Sequence, residues 1–288
     1  MYDVIIIGAG PAGITAGLYT QRGNLKTLII HNGKTSLENA NKIENYYGFE
    51  NGITGKELYF QGIRQAQNIG IDVKNEEVIK IEMIEKSFKV KTTKNEYISK
   101  TIIIAMGTKK KTLQIDGVKK FEGRGISYCA ICDGFFYRNK SVAVLGNGDY
   151  AISETNDLIN IANDITILTN GKKKPEFRAD NVKIDTRVIK EISGEKKVEQ
   201  IEFEDGTRIN VNGIFIAQGV AGSTEFAKKL GAITSKDKIV VNEKMETNIK
   251  GLYACGDCTG GLLQISKAVY EGAIAGIQTS KYLKMGGI

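Results

Sequence analysis

Cys129-Ala130-Ile131-Cys132 sets two thiols at the spacing that can close a disulfide, and thiol–disulfide exchange through such a pair moves electrons two at a time. The rival chemistry is zinc, because Cys255-Gly256-Asp257-Cys258 supplies a second Cys-x-x-Cys and completes the 4 cysteines of the chain. The pairs stand at 129–132 and 255–258, far beyond zinc-ribbon spacing, so no metal ligands are assigned. Cys255 and Cys258 read as small residues lining a nucleotide loop built on Gly256-Asp257, with a second redox pair as the open alternative.

Such thiols need elements that hold them beside a nucleotide. Val4-Ile5-Ile6-Ile7 is a continuous apolar run, as a parallel strand buried on both faces requires. Gly8-Ala9-Gly10-Pro11-Ala12-Gly13 leads from it into a helix over 14–21. In this fingerprint Gly8 permits the tight turn, Gly10 lets backbone approach a pyrophosphate, and Gly13 lets the helix pack on the strand. The pattern recurs at Val142-Ala143-Val144-Leu145, then Gly146-Asn147-Gly148-Asp149-Tyr150-Ala151 and a helix through 160. Two dinucleotide-type units with a thiol pair between them in sequence suggest electrons passing from a flavin to a disulfide.

Leu28-Ile29-Ile30 gives the second strand. His31, the only histidine, stands where an acidic residue often holds the adenosine ribose, and is expected to pack on or hydrogen-bond the cofactor edge. Segments 88–91 and 96–99 alternate as antiparallel strands, and Thr101-Ile102-Ile103-Ile104-Ala105-Met106-Gly107 is another buried strand. Polar crossings at 109–125 and 242–250 bound the middle of the chain. We therefore expect 113–245 as an inserted domain and 1–112 with 246–288 as the other.

The 288 residues suit about two domains, and 41% hydrophobic with 25% charged residues is an ordinary globular composition. With 33 glycines and 2 prolines, tight turns are favoured over disordered linkers. The net charge of +7 fits an acidic partner, phosphate-bearing ligands or a lysine-rich solvated surface. Nucleic acid is not expected, because Lys109-Lys110-Lys111 and Lys172-Lys173-Lys174 are not interleaved with aromatics. Met1-Tyr2-Asp3 runs directly into a strand without a basic leader, and no apolar run reaches membrane length, so a cytoplasmic protein without membrane contact is expected.

Gly125-Ile126-Ser127-Tyr128-Cys129-Ala130-Ile131-Cys132-Asp133-Gly134-Phe135-Phe136 resembles the low-molecular-weight bacterial thioredoxin reductases. Glu44-Asn45-Tyr46, Gly52-Ile53-Thr54-Gly55, Met245-Glu246-Thr247 and Ala254-Cys255-Gly256-Asp257 fall where that family has similar segments. The resemblance implies an α/β fold of two Rossmann-like dinucleotide-binding domains, an FAD domain interrupted by an NADPH-type domain carrying the Cys-x-x-Cys, in a homodimer. It implies FAD contacts at Gly8, Gly10, Pro11, Ala12, Gly13, His31, Asn45, Val78, Gly107, Gly256, Asp257, Gln264 and Ile265. By the same resemblance Cys132 faces the flavin, Cys129 attacks the thioredoxin disulfide and Asp133 donates the proton. A turn-forming role before Gly134 is the plain alternative for Asp133.

The second fingerprint departs from the family. Asn147 stands in its turn, the bulky Tyr150 begins the phosphate-binding helix, and Thr169-Asn170-Gly171 follows the next strand where the family carries His-Arg-Arg for the 2′-phosphate. Lys172-Lys173-Lys174 offer substitute point charges and Glu176-Phe177-Arg178-Ala179 still resembles the family's continuation, but beyond Ala179 a helical stretch is missing, and between His31 and Glu44 the family's Gly-Gly-Gln is absent. These changes are similar to the ferredoxin-dependent flavin thioredoxin reductases, which keep FAD and the thiols without NADPH. A ferredoxin near about −400 mV and a thioredoxin near about −270 mV leave about 6 kcal/mol downhill for two electrons. The alternatives are an NADPH-dependent thioredoxin reductase and a non-catalytic flavoprotein redox sensor. A flavin reductase serving ferredoxin is disfavoured because its relatives lack the thiol pair.

Overall fold

The computed structural model describes residues 1–108, 113–219 and 221–287. Lys109-Lys110-Lys111 and the boundary expected at 112 lie outside the described residues. The chain forms two compact units, Met1–Lys109 with Gly222–Ile288, and Lys110–Ala221.

In the first unit the order is β1 (Tyr2–Ile7), α1 (Pro11–Arg22), β2 (Thr27–His31), α2 (Gly55–Asn68), β3 (Asp72–Asn75), β4 (Val78–Ile84), β5 (Ser87–Thr92) and β6 (Glu96–Ile104). The sheet runs β3-β2-β1-β6-β5-β4. The two stretches read separately at 96–99 and 101–107 fall on one strand, β6, which ends at Ile104; its first half pairs antiparallel with β5 and its second half parallel with β1. Its pattern changes accordingly, alternating beside the hairpin and fully apolar where both faces are covered. Helix α1 starts on Pro11, which has no N–H to leave unbonded there.

The second unit contains α3 (Val118–Phe121), β7 (Ile126–Ser127), α4 (Ala130–Asp133), β8 (Ser141–Leu145), α5 (Asp149–Leu158), β9 (Asp164–Leu168) and β10 (Val182–Asp185). It continues with β11 (Ile189–Ser193), β12 (Gln200–Phe203), β13 (Arg208–Asn210) and β14 (Gly213–Ile216). Its parallel sheet runs β10-β9-β8-β14-β7, and β11-β12-β13 form a separate antiparallel sheet. Strands β9 and β10 are parallel neighbours joined without a helix; Asn181 Nδ2 instead ties the connection to the Ile159 and Ala162 carbonyls at 3.0 and 3.2 Å.

The chain then returns to the first unit through α6 (Ser223–Lys229), β15 (Thr234–Ser235), β16 (Lys238–Ile239), β17 (Leu252–Ala254) and α7 (Ile265–Lys284). The return occurs at Gly222, well before the expected 246. Residues 222–245 belong to the first unit because Ser223 Oγ donates to the Gly107 carbonyl at 2.7 Å and Lys238 Nζ to the Asp257 carbonyl at 3.0 Å. The polar stretch that suggested the later boundary is a local turn in which Asn242 Oδ1 accepts the Lys244 and Glu246 amides. Among the described residues no helix is long and apolar enough to cross a membrane.

Candidate functional site

Two helices of the first unit start at the same end. Helices α1 and α7 pack in parallel, because a Cβ on Gly272 would overlap the Ala12 carbonyl and one on Gly276 would lie 2.6 Å from the Ala16 oxygen. Neither N-terminus has a side-chain cap, and neither first turn carries an acidic residue, so both leave N–H donors for an anion. At α1 the fingerprint glycines divide their work. A Cβ on Gly13 would overlap the Gly8 carbonyl, and one on Gly8, where φ is +114°, would overlap Ala105; a Cβ on Gly10 would meet nothing within 4 Å. Gly8 and Gly13 thus close the turn, and Gly10 faces open space.

Several residues singled out from sequence converge here. Asn45 Nδ2 donates to Gln264 Oε1 at 3.2 Å across 219 positions. Gly256, with φ +83°, approaches Ala12 so closely that a Cβ would lie 2.9 Å from the Ala12 methyl. Asp257 follows it, and Ile265 opens α7. Gly107, three residues past the end of β6, has φ +66° and its carbonyl held by Ser223. Val78 is buried at the start of β4, two residues after Glu76, whose amide donates to the His31 carbonyl at 2.8 Å.

His31 is fixed in one tautomer. The Gly33 amide can only donate, and it reaches His31 Nδ1 at 3.1 Å, so Nδ1 accepts and the ring hydrogen sits on Nε2. The Tyr59 hydroxyl shares that nitrogen at 2.9 Å, and burial lowers the imidazole pKa, keeping the ring neutral. Tyr59 itself is pushed up to about 12 by burial and, after that, by the Glu38 charge. Its hydroxyl therefore stays a donor.

Sequence reading missed the network that shapes the Gly256-Asp257 turn. Lys267 Nζ donates to the carbonyls of Gly256 and Gly260 at 2.8 and 2.5 Å and to Thr259 Oγ1 at 3.0 Å, and it pairs with Glu271 at 2.9 Å. Glu271 Oε2 in turn accepts the Gly256 amide and the Thr259 hydroxyl, each at 2.8 Å. The available signal was the i,i+4 Lys–Glu spacing on α7 directly after the glycine turn. Removing one partner of a pair this buried costs about 3 kcal/mol. Lys267→Met is therefore expected to lower the denaturant midpoint of the holoprotein and to release its flavin at a lower denaturant concentration than the parent.

Cys255 and Cys258 lie beneath this turn as free thiols, 0% and 1% exposed. Burial pushes both up, Cys258 to about 12, and Cys258 Sγ donates to the Cys255 carbonyl at 3.3 Å. Both thiols pack beneath the turn as small buried residues. Among the described residues no cluster could hold a metal ion.

In the second unit Cys129 and Cys132 form a disulfide with Cα atoms 5.3 Å apart. Cys129 is 3% exposed, whereas Cys132 lies on the surface beside the exposed Ile131 and Phe135. Ser127 Oγ accepts the Cys129 amide at 3.0 Å and donates to Asp133 Oδ2 at 2.6 Å, so one hydroxyl joins the disulfide backbone to the carboxylate. Tyr137 is pushed up by burial first and then by the Asp133 charge.

The second fingerprint keeps its turn but not its surroundings. Cβ atoms on Gly146 would overlap the Ala217 carbonyl, and one on Gly148 would meet nothing within 4 Å. Tyr150 does not crowd this turn, as its size suggested; it is 3% exposed and its hydroxyl donates inward to the Tyr128 carbonyl at 3.3 Å. Asn147 Nδ2 donates to the Lys173 carbonyl at 3.3 Å, tying the turn to the loop after β9. Thr169 Oγ1 closes the start of that loop by donating to the Lys172 carbonyl at 2.8 Å, and Asn170 Oδ1 fastens it to β11 by accepting the Ile189 amide at 2.7 Å. Arg187 is committed to Asp185 and stacked on Phe203, 4.0 Å from the ring centre.

Comparison with known proteins decides the family. Residues 2–272 match the model of the pyridine nucleotide-disulphide oxidoreductases. The thioredoxin reductase of Bacillus subtilis is 35% identical over 306 residues, covering 99% of this chain and 95% of its own length. The chain belongs to the thioredoxin reductases. Among solved structures, the atypical thioredoxin reductase TRi from Desulfovibrio vulgaris Hildenborough is 34% identical with a TM-score of 0.89, covering 99% of each chain. A ferredoxin-flavin thioredoxin reductase from Clostridium acetobutylicum is 33% identical with a TM-score of 0.68, covering 99% of this chain and 98% of its own. The α/β fold with two Rossmann-like units is that of these thioredoxin reductases.

FAD is the cofactor of these flavoproteins, and the first unit fits it. The open face at Gly10 and the uncapped start of α1 suit a pyrophosphate, the neutral His31 offers its Nε2 hydrogen at the end of β2, and the α7 start offers a second set of amides.

Proposed function

We propose that this thioredoxin reductase takes its electrons from reduced ferredoxin in place of NADPH and delivers them through the Cys129–Cys132 disulfide to thioredoxin, as a cytoplasmic homodimer. The observation that carries the choice of donor is the loop after β9. In that loop Thr169 Oγ1 holds the Lys172 carbonyl, Asn170 is fastened to the Ile189 amide of β11, Lys173 is tied to the Asn147 turn that a nicotinamide dinucleotide needs open, and Arg178 is the one arginine, which makes no fork alone. The exposed Lys172, Lys173 and Lys174 are point charges without a fork. The likeness to a protein named as a ferredoxin-flavin thioredoxin reductase supports the same reading.

Bound FAD supplies the conversion between a one-electron donor and a two-electron disulfide. The protein's residues do the rest. Gly8, Gly10, Pro11, Ala12 and Gly13 hold the pyrophosphate, with His31 and Val78 at the adenosine side and Asn45, Gly107, Gly256, Asp257, Gln264 and Ile265 completing the cradle. Cys132, exposed in the second unit, is the flavin-facing thiol, and Cys129 attacks the thioredoxin disulfide. Asp133, held by the Ser127 hydroxyl, gives and takes the thiol proton.

Steady-state turnover tests the donor. Thioredoxin reduction driven by reduced ferredoxin is expected to exceed that driven by NADPH by about a hundredfold or more, the scale of losing a bidentate phosphate grip and its companions. Comparable turnover with NADPH would return the chain to the NADPH-dependent reading.

A further inference from the structure

Ser127 Oγ is the point at which the redox segment closes on Asp133. The residue is buried on β7, and its oxygen accepts the Cys129 amide at 3.0 Å, an ordinary serine turn. That turn does not account for the hydroxyl hydrogen. A hydroxyl has one hydrogen to give, and two acceptors stand within its reach, Asp133 Oδ2 at 2.6 Å and the Cys129 carbonyl at 3.3 Å. The carbonyl already accepts the Asp133 amide at 3.1 Å, so it is satisfied with or without the hydroxyl.

The two acceptors match the two states of a carboxyl group. As a carboxylate Asp133 can only accept, and the Ser127 hydroxyl donates to it. Once Asp133 has taken a proton, its O–H donates to Ser127 Oγ and the serine hydrogen turns to the Cys129 carbonyl. Neither state leaves the facing oxygens unpaired, so the carboxyl keeps its place as the proton comes and goes.

We propose that Ser127 is a positioning residue that holds the Asp133 carboxyl through both halves of proton transfer, turning its hydrogen between Asp133 and the Cys129 carbonyl. This rests on Asp133 as the proton carrier and is independent of the electron donor. Attack of the Cys129 sulfur breaks the thioredoxin S–S bond and forms a mixed disulfide; Asp133 takes the attacking thiol's proton and returns it to the leaving thioredoxin sulfur. Attack of the Cys132 sulfur on Cys129 then re-forms the Cys129–Cys132 bond, and its proton passes by the same carboxyl to the second thioredoxin sulfur. Two electrons and two protons leave with thioredoxin as a dithiol.

The holoprotein is reduced with dithiothreitol, freed of it anaerobically and mixed with excess oxidised thioredoxin; samples quenched in acid are alkylated, and the first equivalent of reduced thioredoxin is followed by mass. Asp133→Asn is expected to slow the rate at saturating thioredoxin by about a hundredfold. Ser127→Ala is expected to slow it about tenfold, with the half-saturating thioredoxin concentration within about twofold of the parent. Added to Asp133→Asn, Ser127→Ala is expected to cost no more than about a further twofold, because a residue acting through Asp133 then has nothing left to act on. Ser127→Thr keeps the hydroxyl and is expected to stay within about threefold of the parent. A Ser127→Ala rate like the parent's, a loss undiminished on the Asp133→Asn background, or a Ser127→Thr loss equal to that of Ser127→Ala overturns this proposal and leaves Asp133 in its role. A parent-like rate in Asp133→Asn alone removes the proton carrier and overturns both.

Discussion

Cys129→Ser is expected to abolish thioredoxin reduction, by on the order of a thousandfold or more, while the flavin is still reduced by the electron donor. The loss is large because this is the sulfur that attacks thioredoxin, and a hydroxyl at that place cannot displace a thiolate from a disulfide. Cys132→Ser fails in a different way. It leaves Cys129 to attack but removes the partner that would release the product, so a mixed disulfide with thioredoxin accumulates. Non-reducing electrophoresis separates the two cases. A trapped complex in Cys129→Ser and none in Cys132→Ser would move the attacking role to Cys132.

Gly13→Ala is expected to cost at least about 3 kcal/mol of stability and to empty the flavin site, because its methyl would overlap the Gly8 carbonyl and neither backbone can withdraw. Gly10→Ala makes the complementary case. Its methyl meets no protein atom within 4 Å, so the fold survives and the cost falls on the ligand, with FAD affinity reduced about tenfold or more. Urea unfolding and the flavin-to-protein absorbance ratio, measured on both variants, distinguish the roles. Equal losses of stability would mean that the two glycines do not divide the turn and the approach between them.

The two glycine turns, the apolar strands that lead into them and the Cys129–Cys132 disulfide were legible from sequence because each depends on local geometry. A strand buried on both faces must be apolar, and a turn that overlaps a carbonyl must be glycine. The direction of Tyr150 was not legible, since a large residue at a helix start can point outward into a ligand site or inward beneath a neighbouring segment, and only packing decides. The Lys267–Glu271 staple was half-visible as an i,i+4 pair, but its acceptors in the 256–260 turn are fixed by how that turn folds back on α7. The return to the first unit was misplaced for a related reason. Ser223 and Lys238 are ordinary polar residues in sequence, and what assigns them is the carbonyls they reach, at Gly107 and Asp257.

The most direct test of the account is an anaerobic absorbance titration of the holoprotein with NADPH, NADH and reduced ferredoxin in parallel. Two equivalents of reduced ferredoxin per two-electron step should bleach the flavin band rapidly, with neither nicotinamide nucleotide doing so at stoichiometric concentration. Rapid bleaching by one equivalent of NADPH would contradict the account and show that the loop after β9 admits the nucleotide after all.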